Sequence, residues 1–67
     1  MIYNKITRAL YESVEHAAQA QDITKESVVS GMKKGYYLHF KRSNLLRYYK
    51  DNKIDITKEE LNKYLYT

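Results

Sequence analysis

Two kinds of residue in this chain could do chemistry: acids and bases at catalytic spacing, and cations interleaved with aromatic rings. The first kind is sparse. His16 and His39 are the two histidines, and no Cys stands near either. No metal-ligand spacing results. Glu12, Glu15, Glu59 and Glu60 could serve as acid–base pairs, but each fits an ordinary helical surface or cap. Ser13, Ser27, Ser30 and Ser43 lack the context of a nucleophile. Gly31 and Gly35 are the two glycines, so no Gly-rich phosphate loop exists. A chain this short also has little room to enclose a substrate. The expectation is no catalytic residue, no metal, no cofactor and no enzyme.

The second kind is concentrated. Between Lys33 and Lys53 lie Lys33, Lys34, Lys41, Arg42, Arg47, Lys50 and Lys53, against the single acid Asp51. That segment carries +6, and the remainder carries −2, which accounts for the net charge of +4. Tyr36, Tyr37, Phe40, Tyr48 and Tyr49 are interleaved with the bases. Cations neutralise phosphates and release counterions, and rings stack on bases or lie against sugars. The residues expected to contact nucleic acid are therefore Lys33, Lys34, Tyr36, Tyr37, Phe40, Lys41, Arg42, Arg47 and Lys50. The bland reading is a solvated basic face above a Tyr-rich core. No zinc-finger spacing, no RNP-type motif and no helix-turn-helix with the usual small residues is visible.

Such a segment must be positioned by a scaffold. Residues 3–21 read as one helix, because Ile6, Leu10, Val14 and Ala17 share a helical face and Asn4 could cap it. Two later segments read almost alike: Asp22-Ile23-Thr24-Lys25-Glu26 and Asp55-Ile56-Thr57-Lys58-Glu59. Each has Thr at an N-cap, Ile before it and an apolar residue four after it, the pattern of a hydrophobic staple. Thr57 and Glu60 complete a capping box. Helices are thus expected from Thr24 to about Lys34, burying Val28, Val29 and Met32, and from Thr57 to Tyr66. Gly31 weakens the first, and Gly35 is a natural terminator.

The middle has two readings. Residues 36–40 are rich in β-formers and could be a short strand, followed by a helix capped by Ser43. Alternatively one helix spans 36–50. A lone strand would lack a partner among helices, so the helical reading is preferred.

Length bounds the rest. Ile, Leu, Val and Phe total 15 of 67 residues, a thin core for one small domain spanning 1–67. Tyr must then act as core material, or a homodimer completes the core. No apolar run approaches the ~18 residues of a membrane span, and residues 1–20 show no signal-peptide pattern. Zero Cys suits a reducing compartment. A cytoplasmic protein is expected.

Two partial resemblances follow from these segments. Residues 12–34, ESVEHAAQAQDITKESVVSGMKK, resemble the helical hairpins of Sin-type antirepressors, which act by exchanging subunits with a repressor. Residues 35–50, GYYLHFKRSNLLRYYK, resemble the wing strand and Ser-capped helix of excisionase-type winged-helix proteins. The first covers about a third of the chain and the second less, and neither carries a function over. The sequence as a whole predicts a compact all-α domain of three or four helices. Its core should comprise Ile6, Leu10, Val14, Ala17, Val28, Met32, Leu38, Leu45, Leu61 and Leu65, with Tyr48 or Tyr49. The expected function is a small DNA- or RNA-binding regulatory or accessory protein. The alternative is an interaction module of inhibitor or antirepressor type from a phage or other mobile element, docking on an acidic or larger protein.

Overall fold

A computed structural model of the chain describes residues 1–66. It overturns the all-α expectation. A three-stranded antiparallel sheet, β1 (Ile2–Asn4), β2 (Ala9–Tyr11) and β3 (Tyr37–His39), runs in the order β2-β1-β3. Helices α1 (Val14–Gln21) and α2 (Lys25–Lys33) separate β2 from β3. A 3₁₀ turn (Arg42–Asn44), α3 (Leu45–Lys50) and α4 (Lys58–Leu65) follow.

The helix predicted over 3–21 is a hairpin followed by α1. Asn4 does not cap a helix; its Oδ1 accepts from the amides of Ile6 and Thr7 at 2.9 and 3.1 Å, which turns the chain. Arg8, in the left-handed region, closes the loop by donating its amide to the Asn4 carbonyl at 2.8 Å. The true N-cap is Ser13, whose Oγ accepts from the His16 amide. The helical spacing of Ile6, Leu10, Val14 and Ala17 arose across two elements. Ile6 is 70% exposed, and Leu10 is buried from the strand.

β3 has its partner in β1. Ile2 pairs with Tyr11 on one side and His39 on the other, so β1 is the central strand. Its three residues are all buried, as expected of a strand covered on both faces. Side chains alternate across it. Ile2 packs with Ala17, Ala18 and Val28, against which Tyr11, Val14, Met32 and Tyr37 also lie. Tyr3 packs with Leu10, Phe40, Leu45, Ile54, Ile56, Leu61 and Tyr64. Helices α1 and α2 therefore cover one face of the sheet, and α3 and α4 the other.

The caps at Thr24 and Thr57 form as predicted, each Oγ accepting from the amide three residues on. Ser43 caps nothing; it lies within the 3₁₀ turn. Three helices end in one way. After α1, α2 and α3, the residues Asp22, Gly35 and Asn52 take positive φ. In each case the following amide reaches back five residues: Ile23 to Ala18, Tyr36 to Gly31 and Lys53 to Tyr48. This is the Schellman arrangement, which satisfies carbonyls left open at a helix end. Leu65, expected in the core, and Val29, expected on the buried face of α2, are 39% and 41% exposed. Ile54, Ile56, Phe40 and Tyr64 take that role instead.

Candidate nucleic-acid interface

The basic segment does not form one surface. Lys33 ends α2 and Lys34 follows it, both exposed. Neither forms an ion pair with any described residue. Tyr36, 48% exposed, opens the extended stretch that leads into β3. These three belong to the α1–α2 side of the sheet. Lys41 is exposed at the far end of that stretch, about 16 Å on at ~3.3 Å per residue. Arg47 and Lys50 are exposed on α3, across the sheet. Arg47 lies 4.0 Å from Asp51.

Other expected contacts are structural. Phe40 is 6% exposed and stacks at a tilt on Tyr48, centroids 4.7 Å apart, so its ring is not presented to a partner. The Arg42 guanidinium donates to the Tyr64 carbonyl and ties the 3₁₀ turn to α4. Tyr37 is half-buried. Its hydroxyl accepts from Gln21 Nε2 at 3.1 Å, and its ring covers Gly31. Gln21 Oε1 in turn accepts from Asn4 Nδ2 at 3.0 Å. Asn4, Gln21 and Tyr37 thus join β1, α1 and β3. Among the described residues no buried side-chain N or O lacks a partner.

What the sequence reading missed is the relation of α1 to α2. Three residues, Asp22, Ile23 and Thr24, separate the two helices. The small Ala17 and Ala18 and the branched Val28 fill the space between the helices and Ile2. The connection is a short turn between two helices in which Asp22 supplies the left-handed residue usually given by Gly. Helices α1 and α2 both precede β3. Lys25 Nζ also bonds Glu15 Oε1 at 2.9 Å. That bond, with the lysine's charge, holds the Glu15 carboxyl below the usual range.

With Val28 inward, α2 presents Lys25, Glu26, Val29, Ser30 and Lys33 along one open stripe. A second depression of about 450 Å³ lies alongside, between α2 and the β1–β2 loop. The signal for the stripe was already in the Thr24 cap and the position of Val28. An apolar Val29 beside Val28 reads in sequence as part of the buried face, which hides the stripe.

His16 Nδ1 accepts from the Glu12 amide at 3.2 Å, and its ring meets Tyr11 edge-on. It serves the start of α1. Among the described residues no three His, Asp or Glu side chains gather as a metal site, and no helix is long and apolar enough to cross a membrane. No family model, curated protein or solved structure matches the chain.

Proposed function

We propose that this is a small cytoplasmic nucleic-acid-binding protein that docks α2 in the major groove of duplex DNA. The carrying observation is the exposed stripe of α2, polar but for Val29, held on a three-residue turn from α1 and ending in Lys33 and Lys34. An α-helix fits the major groove of B-form DNA, whereas the deep, narrow groove of an RNA helix excludes it. In helix-turn-helix proteins the N-terminal residues of the second helix meet base edges. Here those are Lys25, Glu26, Val29 and Ser30. Lys33 and Lys34 would take phosphates, and Tyr36 a sugar. This reading moves the working surface from the whole Lys33–Lys53 segment to α2 and its C-terminal flank. The protein-docking alternative has less behind it. The exposed apolar residues divide between the two sides of the sheet, Ile6, Ile23, Val29 and Tyr36 with α1–α2, Leu46, Leu65 and Tyr66 with α3–α4.

The test is a salt-dependent titration with duplex DNA, single strands and duplex RNA. Duplex DNA should bind best. Replacing Lys33 and Lys34 by Ala should make the slope of log K against log salt about 1.8 less negative. Replacing Lys41 and Lys50 should leave it unchanged. Absence of duplex binding at low salt, or equal binding to single strands, would reject the proposal.

A further inference from the structure

We propose that the loop between β1 and β2, Lys5–Arg8, is a second DNA contact that grips the sugar–phosphate strand beside α2. This rests on the reading of α2 above and adds a site outside the basic segment.

The first observation is Ile6. It lies 70% exposed at the tip of the loop and has no part in either core cluster. The second is that the tip is fixed. The buried Asn4 side chain accepts from the amides of Ile6 and Thr7. The Lys5 amide donates to the Tyr36 carbonyl at 3.0 Å. An aliphatic side chain held outward on an ordered turn is preorganised, which lowers the entropy cost of binding.

The third observation is position. Ile6 and Tyr36 line one cleft with Ser27, Ser30 and Lys34 of the α2 side. Lys5 adjoins it, joined to Tyr36 through the backbone, and pairs with no carboxylate among the described residues. Glu26 is the one acid in the lining. A DNA strand alternates apolar sugar faces with phosphates, and phosphate and sugar contacts fix a protein's register on the duplex. The cleft lining offers Ile6 and Tyr36 for a deoxyribose and Lys34 for a phosphate, and Lys5, next in the chain to Ile6 but outside the lining, would take a flanking phosphate.

The experiment titrates duplex DNA over a salt series with the full chain, Lys5→Ala, Ile6→Ser, Lys33→Ala and, as control, Lys63→Ala on α4 across the sheet. Lys5→Ala should make the salt slope about 0.9 less negative. Ile6→Ser should weaken binding roughly fivefold, the worth of about one buried methylene, with the slope unchanged. Both should melt like the parent, and Lys63→Ala should bind like it. If Lys33→Ala weakens binding while both loop variants bind normally, the loop contact is wrong and the α2 reading stands. If Ile6→Ser lowers affinity only together with melting temperature, its role is structural and the loop contact is again wrong. If the parent binds no duplex, both readings fail.

Discussion

The Tyr64 hydroxyl donates to the Leu10 carbonyl at 2.8 Å, joining the last helix to a strand 54 residues earlier. β2 is an edge strand, and edge strands carry backbone groups with no ladder partner. Tyr64 supplies one, inside the core formed by Tyr3, Leu10 and Leu61. Tyr64→Phe keeps the ring and leaves that acceptor without its donor. The variant should lose about 1–2 kcal/mol, read as a drop of several degrees in Tm.

Burial raises the Tyr64 hydroxyl above its ordinary pKa, with Glu60 and Glu12 adding to the effect. The folded state therefore holds this proton more tightly than the unfolded state. Its contribution is complete below the unfolded value of about 10 and is lost as pH rises through the folded value. Thermal melts from pH 8 to 11 should show parent and Tyr64→Phe converging above about pH 10. A gap that stays constant over that range would contradict the assignment.

Gly31 illustrates a different constraint. Helix propensity alone says that Ala here should help by up to about 1 kcal/mol. A Cβ at this position would stand 2.5 Å from Tyr37 Cε2. That ring is held by Gln21 and cannot swing clear without losing the bond. Gly31→Ala should therefore destabilise by about 1–3 kcal/mol, the cost of overpacking. Combined with Tyr37→Val, it should cost less than the sum of the two changes, in a double-mutant cycle read by urea denaturation.

These residues also show what the sequence could and could not convey. Capping is local, so Thr24 and Thr57 were legible from the residues that follow them, and so was Gly35 as a terminator. The sheet was not legible, because each strand is three residues long, too short to display a period of two. Leu10, Val14 and Ala17 fall at helical spacing although a strand, a cap and a helix divide them. Once 3–21 is read as helix, β3 has no partner, and the preference for helix over 36–50 follows. The candidate site was partly legible. Lys33, Lys34 and Tyr36 remain exposed together on one side of the sheet, but charge density along the chain could not reveal that the sheet separates them from Arg47 and Lys50. Nor could it show that Phe40 is core.

Asn4 tests whether the hairpin loop is as fixed as its hydrogen bonds imply. Its side chain makes three bonds, two accepted at Oδ1 and one donated from Nδ2. Asn4→Ala removes all three at a buried site and should cost about 2–3 kcal/mol. Asn4→Asp keeps the acceptor for the Ile6 and Thr7 amides and loses only the donor to Gln21. It should fall between parent and Ala at neutral pH. Hydrogen exchange at the Ile6 and Thr7 amides should speed up in the Ala variant and stay close to the parent rate in the Asp variant.

Asp22 and Asn52 hold the left-handed position at the ends of α1 and α3, where φ is 56° and 59°. Gly35 does the same after α2 at 84°. A side chain with a Cβ pays steric energy there, less for Asp and Asn than for other residues. Gly removes that cost but frees the unfolded chain, so the two effects oppose each other. At a Schellman end the folded-state term prevails, because the backbone bonds from Ile23 to Ala18 and from Lys53 to Tyr48 hold the conformation. Asp22→Gly and Asn52→Gly should each stabilise by about 0.5–1 kcal/mol. The sites lie in separate connections, one on each side of the sheet, so their effects should add. Asp22→Ala retains the Cβ without a polar side chain and should destabilise instead. Chemical denaturation of the three variants decides the matter, and equal midpoints for Asp22→Gly and Asp22→Ala would show that the left-handed turn costs nothing.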